Sequence, residues 1–232
     1  MSGLTAYSGP RIRCPAQGPE LELIEGALEA GIWKTAADPV LFREPALPTG
    51  FPDLVAAFTD PTRDVQPNPA RLNLSTRDIR LLHHVYWART ATRQQISAAL
   101  RLPEARLLPS LERLSAAGVV KFRGDAVIAQ SLRYTFAAAR IVAIEAKISD
   151  WANGIKQSIH NTWFASHSYL LLPASRFVQS VRSAATCHGI GIITYDGDRC
   201  VVRVAARQQR IPASYGSWLV NEWVVRAEAH ES

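Results

Sequence analysis

An apolar run from Ile141 to Ile148, interrupted only by Glu145 and Lys147, has the composition of a buried β-strand. Side chains alternate between the two faces of a strand. The aliphatic side chains at 142, 144, 146 and 148 therefore share one face, and Glu145 and Lys147 project together from the other. A carboxylate and an ammonium on a buried strand cost free energy unless they have a partner or a chemical role.

Glu145 and Lys147 are residue types that serve phosphodiester hydrolysis. A carboxylate can bind a divalent ion, and an ammonium can orient the attacking water or neutralise charge on a phosphate. A second acid, Asp53, follows Pro52 at the start of another apolar run, Leu54–Phe58. The alternative interpretation is a cross-strand ion pair at the rim of a sheet, because Glu-x-Lys by itself is common.

Helical and strand-like patterns alternate on both sides of these residues. Leu21, Ile24 and Leu28 lie on one face of a predicted helix. Outside the middle of the chain, strands are predicted at 40–42, 54–58, 141–148, 169–172, 190–195 and 200–206. Further helices are predicted at 151–167, 176–187 and 218–227. This alternation predicts an α/β fold. Residues 1–18, rich in Gly, Pro and Ser, are interpreted as a flexible arm.

The segment from Arg71 to Arg133 differs in charge from the rest of the chain. It contains eleven basic and four acidic residues, a net charge of +7, whereas the remaining residues carry −1. Such a concentration is typical of a module that binds a polyanion, and the alternative is a solvated arginine-rich face. Helical patterns at 75–89, 92–100 and 103–117 precede a hairpin at 119–130, and the first of these helices begins with a capping box, Ser75-x-x-Asp78. Three short helices followed by a hairpin is the order of a winged helix.

Pro52-Asp53 together with Glu145-Ala146-Lys147 resembles the signature of the PD-(D/E)XK nuclease superfamily. The resemblance implies a restriction-endonuclease-like mixed sheet flanked by helices, formed by 19–60 and 134–232 and interrupted by a small winged-helix domain at 71–133. It also implies that Asp53 and Glu145 hold Mg²⁺ or Mn²⁺ and that Lys147 acts in catalysis. Glu22 or Glu25 would add a metal ligand from the first helix, and Gln157 would act from the helix after the motif strand.

The spacing of the two acids leaves a rival for the first one. Asp53 and Glu145 are about ninety residues apart, farther than the superfamily pattern has them, whereas Asp125 lies nearer to Glu145. An inserted winged helix accounts for the excess length. We prefer Asp53 because Gly124-Asp125 is expected at the tip of the hairpin, where turns favour these residues.

The winged-helix interpretation predicts which side chains contact DNA. In this class the third helix usually enters the major groove, and the hairpin reaches phosphates. The predicted contacts are Arg93, Arg106, Ser110, Arg113, Lys121 and Arg123. Some winged helices mediate protein contacts instead, which the arginine excess disfavours here.

The sequence therefore predicts a Mg²⁺-dependent deoxyribonuclease, either an endonuclease or a repair-type nuclease. The alternative is a DNA-binding regulator or sensor whose nuclease-like domain does not cut. DNA is the predicted partner, a homodimer is left open, and no membrane association is expected because no apolar run approaches about 18 residues. Three scattered cysteines without metal-ligand spacing favour a reduced, cytoplasmic location.

Overall fold

The computed structural model describes residues 18–32 and 38–231. The predicted flexible arm lies outside the described residues, apart from Gly18. The described chain forms two compact units: the first comprises residues up to 59 together with 139–217, and the second comprises 60–138 together with 218–231.

The helices, in chain order, are α1 (Pro19–Glu29), α2 (Pro69–Leu72), α3 (Thr76–Ala88), α4 (Arg93–Leu100), α5 (Glu104–Ala116), α6 (Leu132–Thr135), α7 (Trp151–Asn161), α8 (Gln179–His188) and α9 (Tyr215–Glu231). The strands, in chain order, are β1 (Val40–Arg43), β2 (Leu54–Thr59), β3 (Thr90–Thr92), β4 (Val120–Arg123), β5 (Ala126–Ala129), β6 (Ala138–Ala146), β7 (His167–Pro173), β8 (Gly191–Tyr195) and β9 (Cys200–Val204). A 3₁₀ helix, Ala174–Arg176, follows β7.

The first unit is built on a mixed sheet. Its strand order within the described residues is β1-β2-β6-β7-β8-β9. The strands β6, β7 and β8 run parallel, whereas the pairs β1–β2 and β8–β9 are antiparallel. The predicted mixed α/β architecture, a large sheet flanked by helices, is confirmed. Because β6, β7 and β8 are parallel and in register, their carboxyl ends meet at one edge of the sheet.

Helices cover the two faces of this sheet. The first face packs on α1, through Leu23, Ile24, Ala27, Leu41, Leu54, Ala56, Phe58, Val142, Ile144, Ala146, Leu171 and Ile193. The second face packs on α7 and α8, through Ile155, Leu170, Leu172, Val181, Ala185, Ile190 and Ile192. The predicted alternation along the motif strand is confirmed, since residues 142, 144 and 146 all belong to the α1 side.

The second unit contains α3, β3, α4, α5, β4 and β5 in that order. The strands form an antiparallel sheet with the order β3-β5-β4. The predicted capping box at the start of α3 is confirmed, because the Asp78 N–H donates to Ser75 Oγ and the Ser75 N–H donates to Asp78 Oδ2. Gly118, which follows α5, has φ +71°, a conformation that favours glycine.

A buried ion pair joins α2 to α9 in the second unit. Arg71 and Glu222 are each 1% exposed, and Arg71 Nη2 donates to Glu222 Oε1 over 2.9 Å. Arg71 Nη2 also donates to the carbonyl of Thr135, and Asn221 accepts from the backbone N–H of Ala137. Removing one partner of a buried pair typically costs about 3–5 kcal/mol, because the other charge is left uncompensated.

Two sequence interpretations change because of this pair. Arg71 counts in the basic segment but lies in the interior, so it adds nothing to the surface charge of the second unit. The predicted boundary assigned 134–232 to the nuclease-like domain, whereas residues 218–231 group with 60–138. Glu222 and Arg226, which donates to the carbonyl of Leu74, supply the physical reason.

Some predicted elements differ in extent. The helix predicted over 151–167 ends at Asn161, because His167 already pairs with Val142 as the first residue of β7. The short elements β3, α2 and α6 were not predicted from the sequence. In the part of the chain that the structure describes, no helix has the length and apolar character needed to cross a membrane.

Candidate functional site

Asp53 is held against the motif strand by a backbone hydrogen bond. It precedes β2, which neighbours β6 in the sheet. The N–H of Ala146 donates to Asp53 Oδ2 over 2.7 Å. This bond fixes the carboxylate beside the carboxyl end of β6, although the two residues are 93 positions apart in the chain.

Glu145 lies next to Asp53, and only one of its two carboxylate oxygens accepts a hydrogen bond from the described residues. The side chain is 2% exposed, and Asn161 Nδ2 on α7 donates to Glu145 Oε1 over 2.7 Å. Glu145 Oε2 is buried and has no hydrogen-bond partner among the described residues. Buried oxygens normally have a partner, so this atom identifies a position where a bound group would be favourable.

Burial raises the pKa of Glu145 to about 8, and the negative charge of Asp53 acts in the same direction. The Asn161 amide and the Lys147 ammonium oppose this shift. Burial also raises the pKa of Asp53, against the lowering effects of the Ala146 N–H and Lys147. Two carboxylates that repel each other in a desolvated site are strongly stabilised when a divalent cation binds between them.

Lys147 follows β6, and its positive charge acts on the carboxylates of Asp53 and Glu145. Its N–H donates to the carbonyl of Leu171, and its Nζ donates to Glu20 Oε2 over 3.3 Å. The stem packs closely on α7, since a Cβ at Gly154 would lie 2.8 Å from Lys147 Cγ. The backbone of Lys147 is therefore held by β7, its stem by α7, and its ammonium by Glu20 of α1.

Gln157 lies on the face of α7 that contacts the site. It stands three residues after Gly154, which contacts Lys147, and four residues before Asn161, which contacts Glu145, so the three share one helix face. Gln157 Oε1 is buried without a hydrogen-bond partner among the described residues. The sequence prediction overlooked Asn161, although the spacing 154, 157, 161 is the available signal for it.

The acid that α1 brings to the site is Glu20 and not the predicted Glu22 or Glu25. Glu22 is exposed, and Glu25 pairs with Arg43 on β1, whose Nη2 lies 3.1 Å from Glu25 Oε2. The core-facing residues of α1 are at 23, 24 and 27. Glu20 lies three and four residues before the first two, on the same face. That spacing could have identified Glu20 from the sequence.

Asp125, the rival for Asp53, lies in the second unit. It is exposed at the tip of the β4–β5 hairpin, and its Oδ1 is 3.6 Å from Arg93 Nε. The aspartate whose carboxylate interacts with Glu145 is Asp53.

The predicted DNA contacts in the second unit occupy different environments. Arg106, Lys121 and Arg123 are exposed. Arg93 packs over the Phe122 ring, with 5.7 Å between its Cζ and the ring centroid. These side chains can reach a ligand in solvent.

Ser110 and Arg113 are engaged within the unit. Ser110 is 1% exposed and accepts from Arg113 Nη2 over 3.0 Å, so the prediction that it contacts DNA is corrected. Arg113 is still partly exposed, but it donates two hydrogen bonds to the buried carboxylate of Asp78. Burial would raise the pKa of Asp78, but the bonds from Arg113 and Ser75 outweigh it and lower that pKa.

The residues present fit a divalent cation held by two carboxylates. Among the described residues, no group of three or more His, Cys, Asp or Glu side chains is arranged to hold a metal ion. Mg²⁺, however, is commonly bound through one or two carboxylates and keeps several waters. Asp53 and Glu145, with the unpaired Glu145 Oε2, meet that requirement.

The raised pKa of Glu145 predicts how stability depends on pH without metal. Its folded pKa, about 8, exceeds the unfolded value of 4.5, so the protonated carboxyl stabilises the fold below pH 4.5 and this stabilisation is lost as pH rises through 8. Glu145→Gln should reduce the fall in the free energy of unfolding over this pH range by on the order of 2–4 kcal/mol. Urea unfolding in EDTA from pH 5 to pH 9 measures it.

At pH 9 the Glu145→Gln protein should be more stable than the wild type, because an amide carries no charge there. Asp53, whose pKa is also raised, should leave a smaller residual slope. Glu22→Gln is the matched control and should keep the wild-type slope, since Glu22 is exposed. Parallel curves for Glu145→Gln and the wild type would contradict the assignment.

No family model matches this chain, and no curated protein matches it. A solved structure of a protein of unknown function from Silicibacter pomeroyi is similar over 40% of this chain and 60% of that one, with 16% identity and a TM-score of 0.29. A likeness of that size assigns neither a fold nor a function to this chain.

Proposed function

We propose that this chain is a metal-dependent DNA endonuclease with an active site of the PD-(D/E)XK type. The observation that carries the proposal is the cluster formed by Asp53, Glu145 and Lys147 at one end of β6, with Glu145 Oε2 buried and unpaired among the described residues. A cross-strand ion pair, the alternative interpretation of Glu145 and Lys147, is disfavoured because Lys147 pairs with Glu20 and Glu145 accepts from Asn161.

Each residue of the cluster would have a separate task. Bound by Asp53 and Glu145, Mg²⁺ or Mn²⁺ would supply a water of lowered pKa and neutralise charge on the phosphate. The Ala146 N–H and Asn161 fix the two carboxylates, which keeps Glu145 Oε2 directed into the site. Lys147, oriented by Glu20, would donate to the attacking water or to a phosphate oxygen, and its charge would stabilise the transition state.

The separation of the two acids in sequence supports an insertion. β2 and β6 are neighbours in the sheet, and the residues between them, 60–138, belong to the second compact unit. The resulting order of elements in the first unit is α1, β1, β2, β6, α7, β7. This agrees with the αβββαβ core that the superfamily resemblance implies.

The second unit is proposed to be a winged helix that binds DNA. Its order of α3, β3, α4, α5, β4 and β5, with a sheet ordered β3-β5-β4, is consistent with that class. Arg106 on α5 and Lys121 and Arg123 on β4 are exposed and would contact DNA. In this assignment α5 is the recognition helix and the β4–β5 hairpin is the wing.

Cleavage should depend on the three clustered side chains. In the full chain with Mg²⁺ or Mn²⁺, supercoiled plasmid should be nicked, and EDTA should stop the reaction. Asp53→Asn and Lys147→Ala should each lower the nicking rate by at least about 10²-fold, because each removes charge that is required in the transition state. DNA affinity measured in EDTA should change little.

The control for this experiment is Asp125→Asn, which removes an exposed aspartate outside the cluster and should cut at the wild-type rate. Undiminished nicking by Asp53→Asn and Lys147→Ala would refute the catalytic assignment. DNA binding without any metal-dependent nicking by the wild type would favour a regulator or sensor.

DNA affinity should depend on Arg106 and Arg123, which are exposed on the proposed winged-helix surface of the second unit. The double variant Arg106→Gln/Arg123→Gln should bind duplex DNA more weakly, and its log–log salt slope should be shallower by about 0.9 for each phosphate that is no longer neutralised. Fluorescence anisotropy in EDTA measures both quantities.

The charge-matched control is Arg89→Gln/Arg133→Gln. Both side chains are exposed. Arg89 precedes Thr90, which pairs with Ile128 at the end of the small sheet away from the hairpin turn. Equal weakening by the two double variants would mean that binding is a property of net charge and not of the proposed winged-helix surface.

A further inference from the structure

Two arginines of the first unit converge on one aromatic ring. Arg182 on α8 and Arg203 on β9 place their Cζ atoms 5.6 Å and 5.9 Å from the centroid of Phe177. Val178, which follows Phe177 in the chain, and Val202, which precedes Arg203, are exposed, and so is Arg176. We call Phe177, Arg182 and Arg203 the Phe177 cluster.

A β-bulge directs Arg203 into this cluster. Val202 pairs with Ile193 and Val204 pairs with Ile192, so Arg203 is the extra residue between them. Its Nε donates to Thr194 Oγ1 over 3.0 Å. Bulges re-aim a side chain at the expense of regular pairing, and they are common beside active sites.

The Phe177 cluster lies on the same face and at the same edge of the sheet as the proposed active site. Phe177 packs with the α7 and α8 side of the core, the side on which Glu145 accepts from Asn161. Phe177 comes just after β7, whose Leu171 is in register with Ala146, and Thr194 lies near the carboxyl end of β8.

The distance between the two places suits a nucleic acid strand. β6 and β9 are separated by three interstrand spacings, or about 14 Å. Phosphates of one DNA strand recur every ~3.4 Å along the duplex axis, so this distance corresponds to only a few nucleotides.

The charge around the Phe177 cluster favours an anion. Between residues 174 and 210 the chain has six arginines against two aspartates. Arg199 pairs with Asp196, whereas Arg182 and Arg203 form no ion pair with a carboxylate of the described residues. A guanidinium group presents a planar fork of N–H donors that can bind two oxygens of one phosphate at the same time.

We infer that the Phe177 cluster binds the phosphates of the DNA strand next to the cleavage position, so that the first unit holds its substrate independently of the second unit. The inference rests on the proposed function. It assigns Arg182 and Arg203 a binding role that the sequence pattern did not indicate, because the basic segment that stands out in the sequence lies at 71–133.

The test compares Arg182→Gln/Arg203→Gln with the control Arg207→Gln in the full chain. Arg207 is exposed in the same segment, but its N–H donates to the carbonyl of Gly189, which precedes β8 at the opposite edge of the sheet. A short fluorescein-labelled DNA duplex is titrated in EDTA at several salt concentrations, and plasmid nicking is followed in Mg²⁺.

The double variant should bind the duplex roughly tenfold more weakly at low salt, with a log–log slope shallower by about 1.8 because two phosphates are no longer neutralised. Its KM for DNA should rise while kcat stays near the wild-type value. Arg207→Gln should resemble the wild type. Arg182→Lys/Arg203→Lys, which keeps the charge but not the planar guanidinium groups, should recover the salt slope and only part of the affinity.

The outcomes separate this inference from the proposed function. Wild-type affinity and slope in the double variant, with normal nicking, would overturn the inference and leave the nuclease proposal standing. Loss of affinity in a chain that never nicks DNA would support the binding surface and remove the nuclease. A wild-type chain that does not bind the duplex would overturn both. A Phe177 cluster that affects only self-association would overturn the inference alone.

Discussion

The site depends on the hydrogen bond from the Ala146 N–H to Asp53 Oδ2. The bond holds Asp53 at the neighbouring β6, next to the carboxylate of Glu145. Burial raises the pKa of Glu145 to about 8, and repulsion from the neighbouring carboxylate of Asp53 adds to the shift. Catalytic sites commonly contain strongly perturbed ionisable groups, so this pair of carboxylates supports the proposed cation site.

The second unit shows how a long segment can lie between β2 and β6 without disturbing the sheet. Arg71 near its beginning and Thr135 near its end are joined to Glu222 of α9 through buried polar contacts. These contacts hold α2, α6 and α9 together in the interior of the second unit. Because β2 and β6 are neighbours in the sheet of the first unit, residues 93 positions apart in the chain can form one site.

The sequence predicted the features that depend on local pattern. Three such features are the alternation of Glu145 and Lys147 against an apolar face, the first helix, and the capping box at Ser75. They follow from periods of two or 3.6 residues or from a four-residue motif. The features that were missed depend on contacts distant in sequence. Arg71 was counted as a surface charge because its partner, Glu222, lies 151 residues away. Ser110 is predicted to contact DNA because the sequence does not show that its side chain faces the interior. Its burial depends on how α5 packs in the folded unit.

The residues that lie near Lys147 depend both on local sequence pattern and on contacts that form in the folded chain. Asp53 was chosen over Asp125 from turn preference, which is a local property. Glu20 was missed because the resemblance drew attention to Glu22 and Glu25, although the face of α1 was readable from its apolar residues. The Phe177 cluster could not have been predicted, since a β-bulge at Arg203 appears only once β8 and β9 are paired.

The most direct test of the central claim, that Asp53 and Glu145 form a divalent-cation site, is calorimetric titration of Mn²⁺ into the full chain in two buffers of different ionisation enthalpy. Wild-type protein should bind Mn²⁺ and, near pH 7, release a proton from Glu145, because its pKa is raised to about 8. Asp53→Asn and Glu145→Gln should each lose this binding, whereas Glu22→Gln should keep it. Binding of Mn²⁺ with unchanged affinity and proton release in Asp53→Asn and Glu145→Gln would contradict the account.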